Sequence, residues 1–297
     1  MTPFRTKFEY NALALFAWVI RWLPLKMSRA IADLLGWILA NWIKLRRDVA
    51  LDNLKQAFGS SMDATERQRI YVRCWRHFMR VGVEMARLPR MTPEFADRWV
   101  DLSGRAVLDN ALSRGKGVMV VSGHFGNWEW MGGGLALSGL SSVYVVESQS
   151  NRLVEDWLNR MRQSVGVEIV PISKAARGLF TALRRNKVVA ILCDQDAGDR
   201  GVFVPFFGRL ASTPQGPALF HLRTGAPIVF AASPRDKKGV YRVIIEEMTF
   251  PNLTGDSDHD VEIIMSRITA RLEAEIRRHP EQWLWLHRRW KSSDRRP

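Results

Sequence analysis

The chain has 297 residues, 46% of them hydrophobic, with 44 Lys and Arg against 30 Asp and Glu for a formal net charge of +14. A chain this apolar can bury a full core, which excludes disorder as the default, and its length suits one large domain or one domain with a smaller appendage. The positive excess points to an anionic partner, and twelve tryptophans move the choice from nucleic acid towards a membrane surface, because indole favours sites with one apolar and one wet end. The Lys and Arg are dispersed and no nucleic-acid-binding motif is present, so no nucleic acid is expected. Cys74 and Cys193 lie far apart and in no metal-like pair. Two reduced core thiols suit a cytosol-facing protein, and neither a metal nor another cofactor is expected.

Residues 1–98 read as a helical, membrane-associating region. Ala12 to Ile20 is apolar, Arg21 interrupts, and Trp22 to Leu25 resumes with Pro24 inside it. No small-residue cleavage site follows, so a secretory signal peptide is not expected. A spanning helix needs about 20 apolar residues, and Arg21 sits where that helix would continue. A second apolar stretch, Leu34 to Ile43, is broken by Asn41 and followed by Lys44, Arg46 and Arg47. Both stretches carry Trp, at Trp18, Trp22, Trp37 and Trp42. Helices lying in the membrane interface fit this pattern better than one span or a purely soluble core. Ala64 to Leu88 has helical spacing and is closed by Pro89.

From Val100 the pattern changes, and residues 99–297 read as an α/β domain. Gly117 to Val121 is a continuous Val-rich run bounded by Gly115 and by Ser122-Gly123, which reads as a buried strand. A helix is expected over Trp128 to Leu140, provided that something packs closely against its three consecutive glycines. Further strands are expected at Ser142 to Val146, Val167 to Ile172, Val188 to Cys193, Pro227 to Ala232 and Tyr241 to Glu246, with helices at Asn151 to Val165 and Val261 to Arg278. Strands alternating with helices argue for a layered α/β domain.

Chemistry is concentrated in Ser122-Gly123-His124-Phe125-Gly126-Asn127-Trp128-Glu129, which joins the first buried strand to its helix. Ligands of open α/β sheets bind at the carboxyl ends of strands. His124 and Glu129 would diverge by about 140° on one regular helix, so they converge only if His124 lies in the turn and Glu129 in the first helical turn. Gly123 and Gly126 give the backbone that freedom. The carboxylate would then accept from one imidazole nitrogen and leave the other free as a base for a hydroxyl near neutral pH. The alternative is a satisfied turn His and a helix N-terminal Glu.

His124, the four-residue gap and Glu129 match the H-x4-D/E signature of the glycerolipid acyltransferase superfamily. The string HFGNWE resembles the bacterial lipid A biosynthesis acyltransferases, the lauroyl and myristoyl transferases. Asp194-Gln195-Asp196, Gly201 to Gly208 with its FFG ending, Thr224-Gly225-Ala226-Pro227 and Trp283 to Trp290 (WLWLHRRW) are similar to further segments of that family. The resemblance covers nearly the whole chain in order. It implies a mixed central sheet flanked by helices, as in glycerolipid acyltransferases. It also implies transfer of a fatty acyl group from an acyl carrier protein thioester to a hydroxyl of a lipid A precursor or related glycolipid, at the cytoplasmic face of the bacterial inner membrane. His124 would be the general base and Glu129 its orienting partner, with a substrate contact from Arg162 and a structural or substrate-binding role for Asp194. One departure bears on the acceptor: where the family commonly has Arg-Pro, this chain reads Val145-Val146-Glu147-Ser148. Phosphatidylinositol mannoside acyltransferases of the same family show that the acceptor varies.

Each substrate-binding candidate has a plainer reading. Arg162 is either a solvated helix charge or a guanidinium fork for phosphate, and Asp194 either a site residue or a turn former. Asn127 holds the turn or donates to an oxyanion, and Phe207 contacts the acyl chain or fills the core. Residues 277–297 hold seven Lys or Arg against Glu281 and Asp294, a solvated surface or a seat for an anionic headgroup or an acidic carrier protein. A non-catalytic protein that binds anionic lipid would explain the charge and the N-terminus. It gives no reason for His124 and Glu129 to stand at a strand end.

Overall fold

The computed structural model describes residues 3–293, with the side chains of residues 3–5 left aside; Asp294, Arg295 and Arg296 of the basic tail lie outside it. In chain order the elements are α1 (Pro3–Trp22), α2 (Leu25–Asn41), α3 (Arg47–Phe58), α4 (Ala64–Met85), α5 (Pro93–Trp99), β1 (Val100–Asp101), α6 (Ala106–Leu112), β2 (Val118–Ser122), α7 (Trp128–Leu137), β3 (Ser142–Val146), α8 (Arg152–Gln163), β4 (Glu168–Pro171), α9 (Ala175–Arg184), β5 (Val188–Leu192), β6 (Val202–Phe206), β7 (Arg209–Thr213), α10 (Gly216–Thr224), β8 (Ile228–Ala232), β9 (Tyr241–Arg242), β10 (Ile244–Glu247) and α11 (Ser257–Arg278).

The central sheet has six strands in the order β10-β8-β2-β5-β3-β4. β10 runs antiparallel to β8, and the other pairings are parallel. This is the expected mixed sheet. Its central strands are covered on both faces, which is why they read as unbroken apolar runs. Met119, Val121 and Val189 face a core shared with α9, α10 and α11, whereas Val118, Val120 and Val188 face one shared with α6, α7 and α8. The single strand expected over Tyr241 to Glu246 is two. β9 pairs with β1, Val243 N–H donates to the Asp101 carbonyl, and only then does β10 join the main sheet. The hairpin β6–β7 turns at Phe207 and Gly208, both at positive φ (53° and 74°), the left-handed pair that matches strand twist in a two-residue turn.

The helical N-terminal region shares its core with the sheet instead of standing apart. Ala40, Leu54, Tyr71 and Cys74 belong to the same apolar cluster as Val121 and Trp285. On α2 the residues Ser28, Ala32, Gly36 and Ala40 are buried at four-residue spacing, a small-residue stripe that lets two helix backbones approach. A β-carbon on Gly36 would stand 2.5 Å from the Arg76 Cα on α4. Gly36→Ala should therefore destabilise the chain by about 1–3 kcal/mol as α2 is pushed off α4. Thermal melting measures this, and a neutral result would show that the two helices separate freely.

The outer faces of α1 and α2 are apolar and uncovered. Leu15, Trp18 and Trp22 on α1, Leu34 and Trp37 on α2, and Trp42 and Ile43 beyond it are all exposed, Trp42 by 74%. Arg21 turns inward, donating to the Ala86 carbonyl. Among the described residues no helix is long and apolar enough to cross a membrane.

Candidate active site

β2 and β5 are neighbours in register, with Ser122 opposite Leu192. Two residues beyond each strand end come His124 and Asp194, so the sheet itself brings them level. The chain leaving β2 crosses to β3 on one side, and the chain leaving β5 returns as β8 on the other. A crevice opens at the carboxyl ends of strands where such paths part. In it the His124 main-chain N–H donates to Asp194 Oδ2 at 2.7 Å, and His124 Nδ1 lies 2.8 Å from Oδ1. The Trp283 indole donates to Oδ2 at 2.8 Å. A carboxylate only accepts, so the imidazole proton sits on Nδ1 and the Nε2 lone pair is left free. Among the described residues Nε2 has no partner, and the ring, held edge-on to Trp128 at 5.0 Å, stays partly exposed.

Burial alone would push the Asp194 carboxyl up. The facing His124 and the donors from His124 and Trp283 outweigh it and hold the group below the usual aspartate range. A depressed folded pKa contributes stability that is full above the unfolded value and lost as pH falls through the folded one. Wild-type melting temperature should therefore hold steady down to the ordinary aspartate range and decline below it, less steeply in Asp194→Asn. Parallel pH profiles of the two proteins would contradict this.

The orienting partner of His124 is thus Asp194, and the expected His124–Glu129 hydrogen bond is not formed. Asn127 caps α7, its Oδ1 accepting the Trp130 N–H at 2.9 Å. Glu129 in the first turn is thereby aimed at α8, where Arg162 Nη2 reaches Glu129 Oε1 at 2.6 Å and Nε reaches Oε2 at 3.0 Å. The Trp128 indole donates to Oε1 as well, at 3.1 Å. Burial lowers the Arg162 guanidinium, but the Glu129 carboxylate overcomes that and raises it above its ordinary value. Glu129 and Arg162 border a cavity of about 60 Å³ that runs over the sheet between Trp128, Met131, Tyr144 and Leu192. The three glycines of α7 each face a different neighbour. Gly132 makes room for the Tyr144 hydroxyl, Gly133 for Leu88 and Met91, and Gly134 for Val100.

Two candidates point elsewhere. Asn127 is fully buried, and its amide nitrogen is committed to Glu84 at 2.7 Å, so neither polar atom faces a substrate. Phe207 is buried between Phe58, Phe206 and Trp285 in the aromatic core, which is the plainer of its two readings. His77, buried on α4, donates from Nε2 to the Gly126 carbonyl at 2.9 Å. Burial lowers its pKa to about 3, which keeps the ring neutral. Gly126 itself has φ 61°, and a β-carbon there would fall 1.9 Å from the Ser233 carbonyl oxygen. Trp283 and Leu284 carry the C-terminal segment across the turn, Leu284 N–H donating to the His124 carbonyl. Among the described residues no three His, Cys, Asp or Glu side chains could hold a metal ion.

A partly exposed imidazole with a buried carboxylate behind it, its ring against a Trp128 that lines the apolar cavity, is equipped to take a proton from a hydroxyl next to an aliphatic chain. The sequence matches the bacterial lipid A biosynthesis acyltransferases over residues 3–292. The chain belongs to that family. This acyltransferase is 27% identical to the lipid A biosynthesis palmitoleoyltransferase of Escherichia coli K12 over 93% of its own length and 88% of the relative's. To the lauroyltransferase of the same organism it is 27% identical, over 93% and 89%. It is also 30% identical to the phosphatidylinositol mannoside acyltransferase of Mycobacterium tuberculosis CDC 1551, over 74% of this chain and 67% of that one. In this chain His124 and Glu129 therefore belong to two separate pairs, His124–Asp194 and Glu129–Arg162.

Proposed function

We propose that the enzyme moves a fatty acyl group from an acyl carrier protein thioester to a hydroxyl of a lipid A precursor, at the cytoplasmic face of the bacterial inner membrane. The observation that carries this reading is the free Nε2 of His124, its tautomer held by Asp194, on a ring packed against Trp128, which lines the apolar cavity bordered by Glu129 and Arg162. The acceptor hydroxyl gives its proton to Nε2 as its oxygen attacks the thioester carbonyl. The tetrahedral oxyanion collapses, the C–S bond breaks, and the departing thiolate takes the proton back from the imidazolium. Arg162, fixed by Glu129, supplies positive charge at the cavity wall for the oxyanion or for an acceptor phosphate. The uncovered Trp and Leu of α1 and α2, with the cationic surface, support seating on an anionic bilayer as interfacial helices.

The relatives favour two acceptors. The lipid A enzymes match over most of both chains, while the mannoside enzyme is slightly more identical over a shorter stretch, and the segment Val145-Val146-Glu147-Ser148 holds no Arg-Pro pair. The deciding experiment offers the purified enzyme a labelled acyl–carrier-protein thioester with either a lipid A precursor or a phosphatidylinositol mannoside, in anionic liposomes. Mass spectrometry should find one added acyl ester on the lipid A precursor. Acylation of the mannoside alone would transfer the reading to that acceptor, and acylation of neither would end it.

A further inference from the structure

Glu84 on α4 is fully buried and takes no part in the chemistry above. Both oxygens of its carboxylate are nevertheless engaged. Oε1 accepts from Arg29 Nε at 2.6 Å, and Oε2 accepts from Asn127 Nδ2 at 2.7 Å and from the Tyr241 hydroxyl at 2.6 Å. Its main-chain carbonyl accepts from the Trp130 indole at 2.8 Å. Four elements meet on this one residue: α2 through Arg29, α4 itself, β9 through Tyr241, and the start of α7 through Asn127 and Trp130. A buried ion pair of this kind is weak evidence for stability, since well-packed apolar groups serve as well. What it supplies is direction.

Asn127 shows what the direction is for. It stands three residues after His124 and two before Glu129. Its Oδ1 caps α7 through the Trp130 N–H, and its main-chain N–H is taken by Ser233. An Asp would cap the helix equally well. An Asn both accepts from Trp130 and donates to a carboxylate, so the identity of residue 127 follows from Glu84 behind it. We infer that Glu84 is a positioning residue for acyl transfer: through Asn127 it fixes the turn that separates His124 from Glu129 and so holds the two catalytic pairs at their working spacing. The inference rests on the function proposed above and adds to it a residue outside the H-x4-E motif.

A charge exchange tests it. In Glu84→Gln the charged Arg29 guanidinium claims the one remaining side-chain oxygen, which turns the amide N–H₂ towards Asn127 Nδ2, donor against donor. Asn127→Asp sets two buried carboxylates against each other. In the double variant Glu84→Gln/Asn127→Asp the introduced amide donates to the introduced carboxylate, which still caps α7 at Trp130, while the amide oxygen still accepts from Arg29. Turnover of the full-length enzyme in anionic liposomes, with a lauroyl–carrier-protein thioester and a lipid A precursor, should fall about 10- to 100-fold in kcat in each single variant, with KM within about twofold, because a misplaced reacting group costs rate more than binding. The double variant should return to within about fivefold of wild type in kcat, a reciprocal rescue expected of a directed contact. A wild-type kcat in Glu84→Gln, or a double variant no faster than Asn127→Asp, overturns the inference. Should the wild type acylate no acceptor, the functional reading fails by itself. Melting then decides the clamp: recovery of the Asn127→Asp melting temperature in the double variant supports it, and no recovery overturns it.

Discussion

Asp194→Asn should slow acyl transfer nearly as far as His124→Ala, which is expected to cost about 10²- to 10⁴-fold as the loss of a general base. The reason lies in how the donors divide between the two carboxylate oxygens. Oδ2 receives both the His124 main-chain N–H and the Trp283 indole, while Oδ1 receives only the imidazole. An asparagine keeps its oxygen where the two fixed donors are, which turns its N–H₂ towards His124 Nδ1. The imidazole then accepts at Nδ1 and carries its proton on Nε2, the wrong tautomer for a base. A neutral partner that imposes the wrong tautomer costs on the order of 10⁴-fold in a serine protease built on the same logic. The fold should hold, because both Oδ2 donors stay satisfied. Single-turnover rates with a labelled thioester measure the loss, and nitrogen NMR of the imidazole reads the tautomer. Near-wild-type turnover in Asp194→Asn beside an inactive His124→Ala would remove Asp194 from the mechanism.

The same pair marks where the sequence stopped being legible. Buried strands announced themselves as short Val-rich runs, and the expected positions of β2, β3, β5 and β8 lie within a residue or two of the observed ones. His124 and Asp194 could each be recognised as a residue at a strand end. That they meet depends on the register of two strands separated by 70 positions, and nothing local encodes that register. Glu129 was near His124 in sequence but is turned from it by the cap on α7, a direction fixed by Glu84 on a distant helix. The hairpin β6–β7 escaped because its turn, Phe207-Gly208, places an aromatic residue at positive φ, where few are found. Composition counted twelve tryptophans without sorting them. In the structure Trp18, Trp22, Trp37 and Trp42 are exposed, while Trp130, Trp283, Trp285 and Trp290 are core.

Glu129→Gln carries the second large effect, and it falls on stability as well as rate. Arg162 is held mainly by Glu129 and is largely out of water. Removing one partner of a buried ion pair strands the other, which costs about 3–5 kcal/mol, whereas replacing both by apolar groups of similar volume is often neutral. Glu129→Gln and Arg162→Met should each lower stability by about that much, and Glu129→Leu/Arg162→Met should recover most of it. Rate separates the roles. If Arg162 supplies charge to the oxyanion, the stable double variant stays about 10²- to 10³-fold slow, as expected when one preorganised donor is lost. Urea denaturation gives the stabilities, and kcat of the same preparations gives the rates. A double variant that is both stable and fast would reduce the pair to a strut between α7 and α8 and leave His124 and Asp194 to perform the chemistry alone.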